Sequence, residues 1–235
     1  MRFGLVATPF VIGSLALVAA CSSTTGQETG SSSGNNSSGS PAVDGGSSGA
    51  EGGQSSSGSV PEASKTEAPV DFDGTCPSLN ACGGSLSGTY DYTAGCLADV
   101  FSAAKAQCPA LDTAGAKVIV KGSLHFSNGA LHRAATSIIS GSIVVPASCS
   151  AGQCATVEAA LKNAFDSVSC TGSSSCTCTI SDTSTTNNDT TYTVSGSTVT
   201  TGDGDTYSIC VEGNKLTYKG KAAGSEDGTW SLAKR

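Results

Sequence analysis

Two histidines, eleven cysteines and two short aspartate clusters carry most of the chemistry-bearing side chains of this 235-residue chain. His125 and His132 flank Asn128-Gly129, a dipeptide that favours two-residue hairpin turns because both positions tolerate positive φ. Such a turn sets Ser127 opposite Ala130, Phe126 opposite Leu131 and His125 opposite His132. Two imidazoles on neighbouring strands are a donor set for copper or zinc. Alternation along the strand, however, assigns the buried face to Val118, Val120, Leu124 and Phe126. Both histidines then point outward, as a solvated pair near a hairpin tip, and no metal is expected.

Ten of the cysteines fall between Cys76 and Cys210. Cys149 and Cys154 bracket a small loop, and Cys170 and Cys176 face each other across a turn over residues 171–175. Both pairs lie within bridging reach. Cys96 and Cys108 conflict with a helix between them, which would hold them roughly 16–18 Å apart at 1.5 Å per residue. Cys176-Thr177-Cys178 is half of a metal motif without a second half. Structural disulfides are therefore expected, at about 2–4 kcal/mol each, in an oxidising compartment.

Asp71-Phe72-Asp73-Gly74 and Asp203-Gly204-Asp205 lack the downstream glutamate of a calcium loop and read as turns. Gly30-Ser31-Ser32-Ser33-Gly34 matches the esterase G-x-S-x-G pattern, but no strand precedes it and it lies in a low-complexity tract. Metalloprotease, P-loop and dinucleotide fingerprints do not occur. No catalytic residue and no cofactor are expected. A net charge of -7 argues against a nucleic-acid partner.

The elements that position these residues are short and β-prone. From Thr190 to Tyr218 four such runs are joined by Ser195-Gly196, Gly202-Asp203-Gly204-Asp205 and Gly213-Asn214, the pattern of an antiparallel meander. Tyr192 with Val194, Tyr207 with Ile209 and Val211, and Leu216 with Tyr218 each share a buried face. Earlier strands are expected over Leu86–Cys96, Ala116–Ser127, Ala130–Val145, Val168–Cys170 and Cys176–Ser181, and a last one over Thr229–Ala233. Short helices are expected over Leu97–Gln107 and Ala155–Phe165. The sum is an all-β protein of about ten strands with two short helices. It reads as a closed or nearly closed antiparallel barrel, with a β-sandwich as the alternative.

The first twenty residues read as a signal peptide, with an apolar run after Met1-Arg2. The run ends Leu17-Val18-Ala19-Ala20-Cys21, which resembles the bacterial lipobox and implies cleavage before Cys21 and lipidation of its thiol. Ser22 after the cysteine implies an outer-membrane address in a Gram-negative envelope. Residues 21–70 are rich in Ser and Gly and cannot bury enough apolar surface to order themselves. They read as a tether of roughly 35–40 Å end to end. The folded domain is then 71–235.

Cys82-Gly83-Gly84-Ser85-Leu86-Ser87-Gly88-Thr89-Tyr90, Cys96-Leu97, Ser175-Cys176-Thr177-Cys178, Tyr207-Ser208-Ile209-Cys210 and Gly228-Thr229-Trp230 resemble segments of uncharacterised Ser/Thr-rich lipoproteins of myxobacterial type. The likeness spans residue 76 to the end. That group is similar to lipocalin-like barrels, in which G-x-W opens the first strand and a basic residue closes the last. Tyr90 stands here at the Trp position, and Lys234-Arg235 stand at the close. The resemblance implies location and fold, and no activity. If the barrel holds a small apolar ligand, Tyr90, Tyr92, Val120, Phe126, Ile209 and Trp230 are its expected lining. A cavity above roughly 300 Å3 separates that function from a filled module of the envelope surface.

Overall fold

The computed structural model describes residues 61–72, 74–220 and 228–235. Cys21, the apolar run before it, Gly30 to Gly34, most of the expected tether and Asp73 lie outside the described residues.

Asn128 and Gly129 both adopt positive φ, 48° and 77°, the backbone of the primed turn that matches strand twist. They join two sixteen-residue strands, β3 (Asp112–Ser127) and β4 (Ala130–Val145), in the expected register, including His125 opposite His132. Around this hairpin lie β1 (Ala68–Asp71), β2 (Gly88–Leu97), β5 (Ser167–Thr171), β6 (Cys176–Ser195), β7 (Thr198–Thr201), β8 (Thr206–Glu212), β9 (Lys215–Gly220) and β10 (Gly228–Lys234). The three helices among the described residues are α1 (Ser102–Gln107), α2 (Ala147–Ser150) and α3 (Cys154–Leu161). The chain is all-β in class, with one helix more than expected. Leu97, placed by the sequence at a helix start, ends β2 instead.

All ten strands belong to one sheet. Its pairings run from β2 through β3, β4, β6, β7, β8, β9 and β10 and return to β2. β1 lies parallel to β2 and antiparallel to β3, and β5 pairs with β6. One apolar cluster fills the inner side, with Tyr90, Val120, Ile143, Ile180, Leu216 and Leu232 each 2% exposed or less.

Several expectations need correction. The sheet begins at Ala68, inside the segment read as tether; Ala68 and Val70 are buried. A four-residue strand is too short to show periodicity, and its place depends on Gly95 of β2. A Cβ there would stand 2.6 Å from the Trp230 ring and 3.1 Å from Val70 Cγ2. β6 runs unbroken for twenty residues, where the sequence suggested two strands separated by a polar gap. Asp182 to Asp189 are strand because β4 pairs with them residue by residue; the ladder overrides weak local propensity. Val194 is 40% exposed, not buried. The β6–β7 hairpin extends past the end of β4, whose Ala130 pairs with Thr191, so Val194 has no β4 neighbour.

Five disulfides use all ten cysteines from Cys76 on: Cys76–Cys96, Cys82–Cys210, Cys108–Cys149, Cys154–Cys176 and Cys170–Cys178. The four cysteines singled out are all bridged, but with different partners. The β5–β6 register pairs Cys170 with Cys178, two residues from the expected alignment, and their Cα atoms are 4.0 Å apart. Cys176 lies beyond the pair Thr171–Thr177 and bonds Cys154 at the start of α3. Cys149 lies in α2, and the left-handed Ala151 (φ 47°) turns the chain between it and Cys154. Cys149 is thereby left to Cys108. Of the two options at Cys96, the bridge to Cys108 gives way and a short helix remains.

Candidate functional site

The inner face of the sheet contains a cavity of about 20 Å3, room for one water molecule. Leu86, Leu124, Phe126, Leu131, Val199, Ile209 and Leu216 supply its apolar wall, and Arg133, Thr201, Tyr207 and Tyr218 its polar groups. Of the six residues expected to line an interior site, Phe126 and Ile209 reach this cavity. Tyr90, Tyr92, Val120 and Trp230 are equally buried but pack into solid core. Val120 lies beside Ala68 of β1. Tyr92 meets Trp230 edge-on at 5.6 Å, and its hydroxyl lies 3.0 Å from that of Tyr218. Tyr90 and Tyr192 both pack edge-on against Phe126, at 5.9 and 5.1 Å. Burial pushes the phenols of Tyr90 and Tyr192 above their ordinary range.

Arg133 is the functional-type residue that sequence reading missed. It is 4% exposed, and its guanidinium carbon lies 5.8 Å from the Tyr207 ring centroid, within cation–π range. The signal was present: Arg133 follows Leu131 by two positions, so alternation sends it inward with Leu131.

The outer face carries both histidines, as expected. One row crosses four strands: Thr89, His125, His132 and Asp189. His125 Nδ1 lies 3.0 Å from Thr89 Oγ1, and His132 Nδ1 lies 2.8 Å from Asp189 Oδ1. Each imidazole thus takes a partner on the side away from the other histidine. Cys82, Cys210 and Glu212 bring three donor atoms within 4.8 Å of one another, but the two sulfurs are joined to each other and offer no thiolate.

Where the chain closes on itself, Gly88-Thr89-Tyr90 opens β2 and Lys234 ends β10 opposite Tyr90. Lys234 Nζ lies 5.8 Å from the Tyr90 ring centroid and 3.3 Å from Ser87 Oγ. Arg235 donates to both carboxylate oxygens of Asp91, at 2.8 and 3.1 Å. The fold and this interior define a disulfide-stapled all-β protein with a nearly solid core. No protein-family model, curated protein or solved structure matches the chain.

Proposed function

We propose that this is a lipid-anchored protein of the cell envelope, whose folded part is a closed, filled β-barrel of lipocalin-like plan serving as an interaction module. The observation that carries the choice of module over ligand carrier is the interior volume. About 20 Å3 is more than tenfold below the roughly 300 Å3 of a small-molecule site. The ring of eight paired strands supports the barrel, and Lys234 over Tyr90 supports the lipocalin-like plan. Five bridges fit an oxidising compartment. The lipobox-like residues before Cys21 support the anchor, and a barrel on an outer-membrane tether would present its outer face to partners.

Expression with the native leader in a Gram-negative host tests both halves. The N-terminal peptide should begin at Cys21 and carry a diacylglyceryl group, and Cys21→Ser should abolish that modification. Native mass spectrometry of the Cys21→Ser protein should return the mass of the bare chain. A stoichiometric co-purified lipid in that spectrum would replace the filled module with a ligand carrier.

A further inference from the structure

β6 is paired with β4 along one edge from Cys176 to Thr191. Its other edge meets β5 only as far as Ser181 and β7 only from Tyr192. Asp182 to Thr190 therefore form a slot of nine residues, about 30 Å at 3.3–3.4 Å per residue. Hydrogen-bond direction alternates along an antiparallel strand. Tyr192 N donates to Gly129 O on the β4 side, whereas Thr183 N donates to Asp166 Oδ2 and Thr191 O accepts from Gly202 N. Odd positions thus face the slot. Thr183 N–H and Thr191 C=O are taken; the N–H and C=O of Thr185, Asn187 and Asp189 have no partner among the described residues on that edge.

Edge strands are ordinarily blunted by lysine, proline, a bulge or a cover. β5 follows that rule, because Glu158 of α3 accepts the N–H of Cys170 at 2.9 Å. In the slot only Thr183 is capped in this way, by Asp166. From Thr185 to Thr190 there is no lysine, proline or bulge and, among the described residues, no cover. Four of the nine slot residues are threonine, a β-former. The strands that border the slot along its open edge carry no charged side chains but acidic ones. β5, β6 and β7 contain no lysine or arginine, while Asp182 and Asp189 lie on β6 and Asp166 precedes β5. On the β4 side Arg133 lies opposite Asn188 and His132 holds the Asp189 carboxylate at 2.8 Å, so Asp166 and Asp182 are the acids that face a segment on the open edge. Asp182 is held above its ordinary pKa by burial and then by the Asp166 carboxylate, so a nearby cation would favour its ionised form. Asn188 Oδ1, on the inner wall, is shielded from solvent and accepts no hydrogen bond.

We propose that the free edge of β6 between Asp182 and Thr190 binds an extended, lysine- or arginine-bearing peptide segment of a partner protein as an added strand. The segment hydrogen-bonds to Thr185, Asn187 and Asp189 through its backbone and places basic side chains against Asp166, Asp182 and Asn188. A second copy of this chain does not fit: its β6 carries its own β5 and β7 on the same edge, where they meet those of the first. The proposal rests on the reading of the domain as an interaction module; it is independent of the anchor.

The test uses the full chain and synthetic nine-residue peptides read by residue-resolved amide exchange. An alternating Lys–Thr peptide should slow exchange at Thr185, Asn187 and Asp189 at least tenfold, with an affinity that falls as salt rises. Asn187→Pro removes one slot-facing N–H and leaves the β4 ladder intact; it should weaken binding at least tenfold. Asn187→Ala keeps the N–H and should bind as the parent does. Disulfide mapping verifies that both variants fold. No protection at millimolar peptide, equal binding of an alternating Glu–Thr peptide, or undiminished binding by Asn187→Pro overturns the proposal. So does protection that rises with protein concentration alone, which would mean self-pairing. None of these outcomes bears on the co-purified-lipid spectrum, so the two readings fail separately.

Discussion

Gly95 shows how one missing side chain decides local packing. Its absent Cβ leaves space for the Trp230 ring on β10 and for Val70 on β1. Gly95→Ala should destabilise the protein by about 1–3 kcal/mol, measured by urea unfolding, chiefly through the Trp230 ring that a Cβ would meet at 2.6 Å. Two carboxylates make opposite pH predictions. The Cys170 N–H, and then Lys162, hold Glu158 below its ordinary 4.5. Its stabilisation is present above that value and lost as pH falls through the lowered folded-state pKa. Burial and Asp166 hold Asp182 above its ordinary 3.8, so its ionised form weakens the folded state until pH falls through the raised value. Calorimetry across the acid range should therefore find Glu158→Gln less stable than the parent at neutral pH, with the gap closing in acid. Asp182→Asn should be more stable at neutral pH, and that advantage should also vanish in acid.

At the scale of elements, what the sequence disclosed depended on turn chemistry. Asn128-Gly129 fixed the β3–β4 register to the residue, and with it the outward histidines, because a two-residue turn leaves one alignment. The turn between β5 and β6 has no such dipeptide, only Gly172 followed by three serines. There the register differs by two positions from the one a five-residue turn implies, and Cys170 bonds Cys178 instead of Cys176. The polar run from Asp182 to Asp189 carries no apolar alternation, so only its pairing with β4 reveals it as strand. That pairing has its own signature. In the protein without a partner, amide exchange along this run should alternate, fast at Thr185, Asn187 and Asp189 and slow at Ser184, Thr186, Asn188 and Thr190. Uniform exchange along the run would mean that the second edge is covered.

For the whole molecule, the six residues expected to line the interior are buried, yet alternation does not say that they fill the space they face. Inward direction follows from period-two patterning; free volume follows from side chains meeting across the sheet, which one strand's sequence does not encode. The contacts of Tyr92 with Tyr218, from β2 past β10 to β9, and of Phe126 with Tyr192, from β3 past β4 to β6, close that volume. Leu216 tests the point directly. It is 1% exposed and lies on the wall of the 20 Å3 cavity beside Tyr218. The parent protein should bind neither xenon nor benzene, because a cavity the size of one water admits neither. Leu216→Ala removes three buried carbons at about 2–5 kcal/mol and joins their volume to the existing space. Five disulfides should keep the variant folded, since bridges constrain the unfolded chain rather than the core. Xenon chemical shift or benzene-induced protection against heat should then appear in the variant alone. Binding of either probe by the parent would show that the core is not filled.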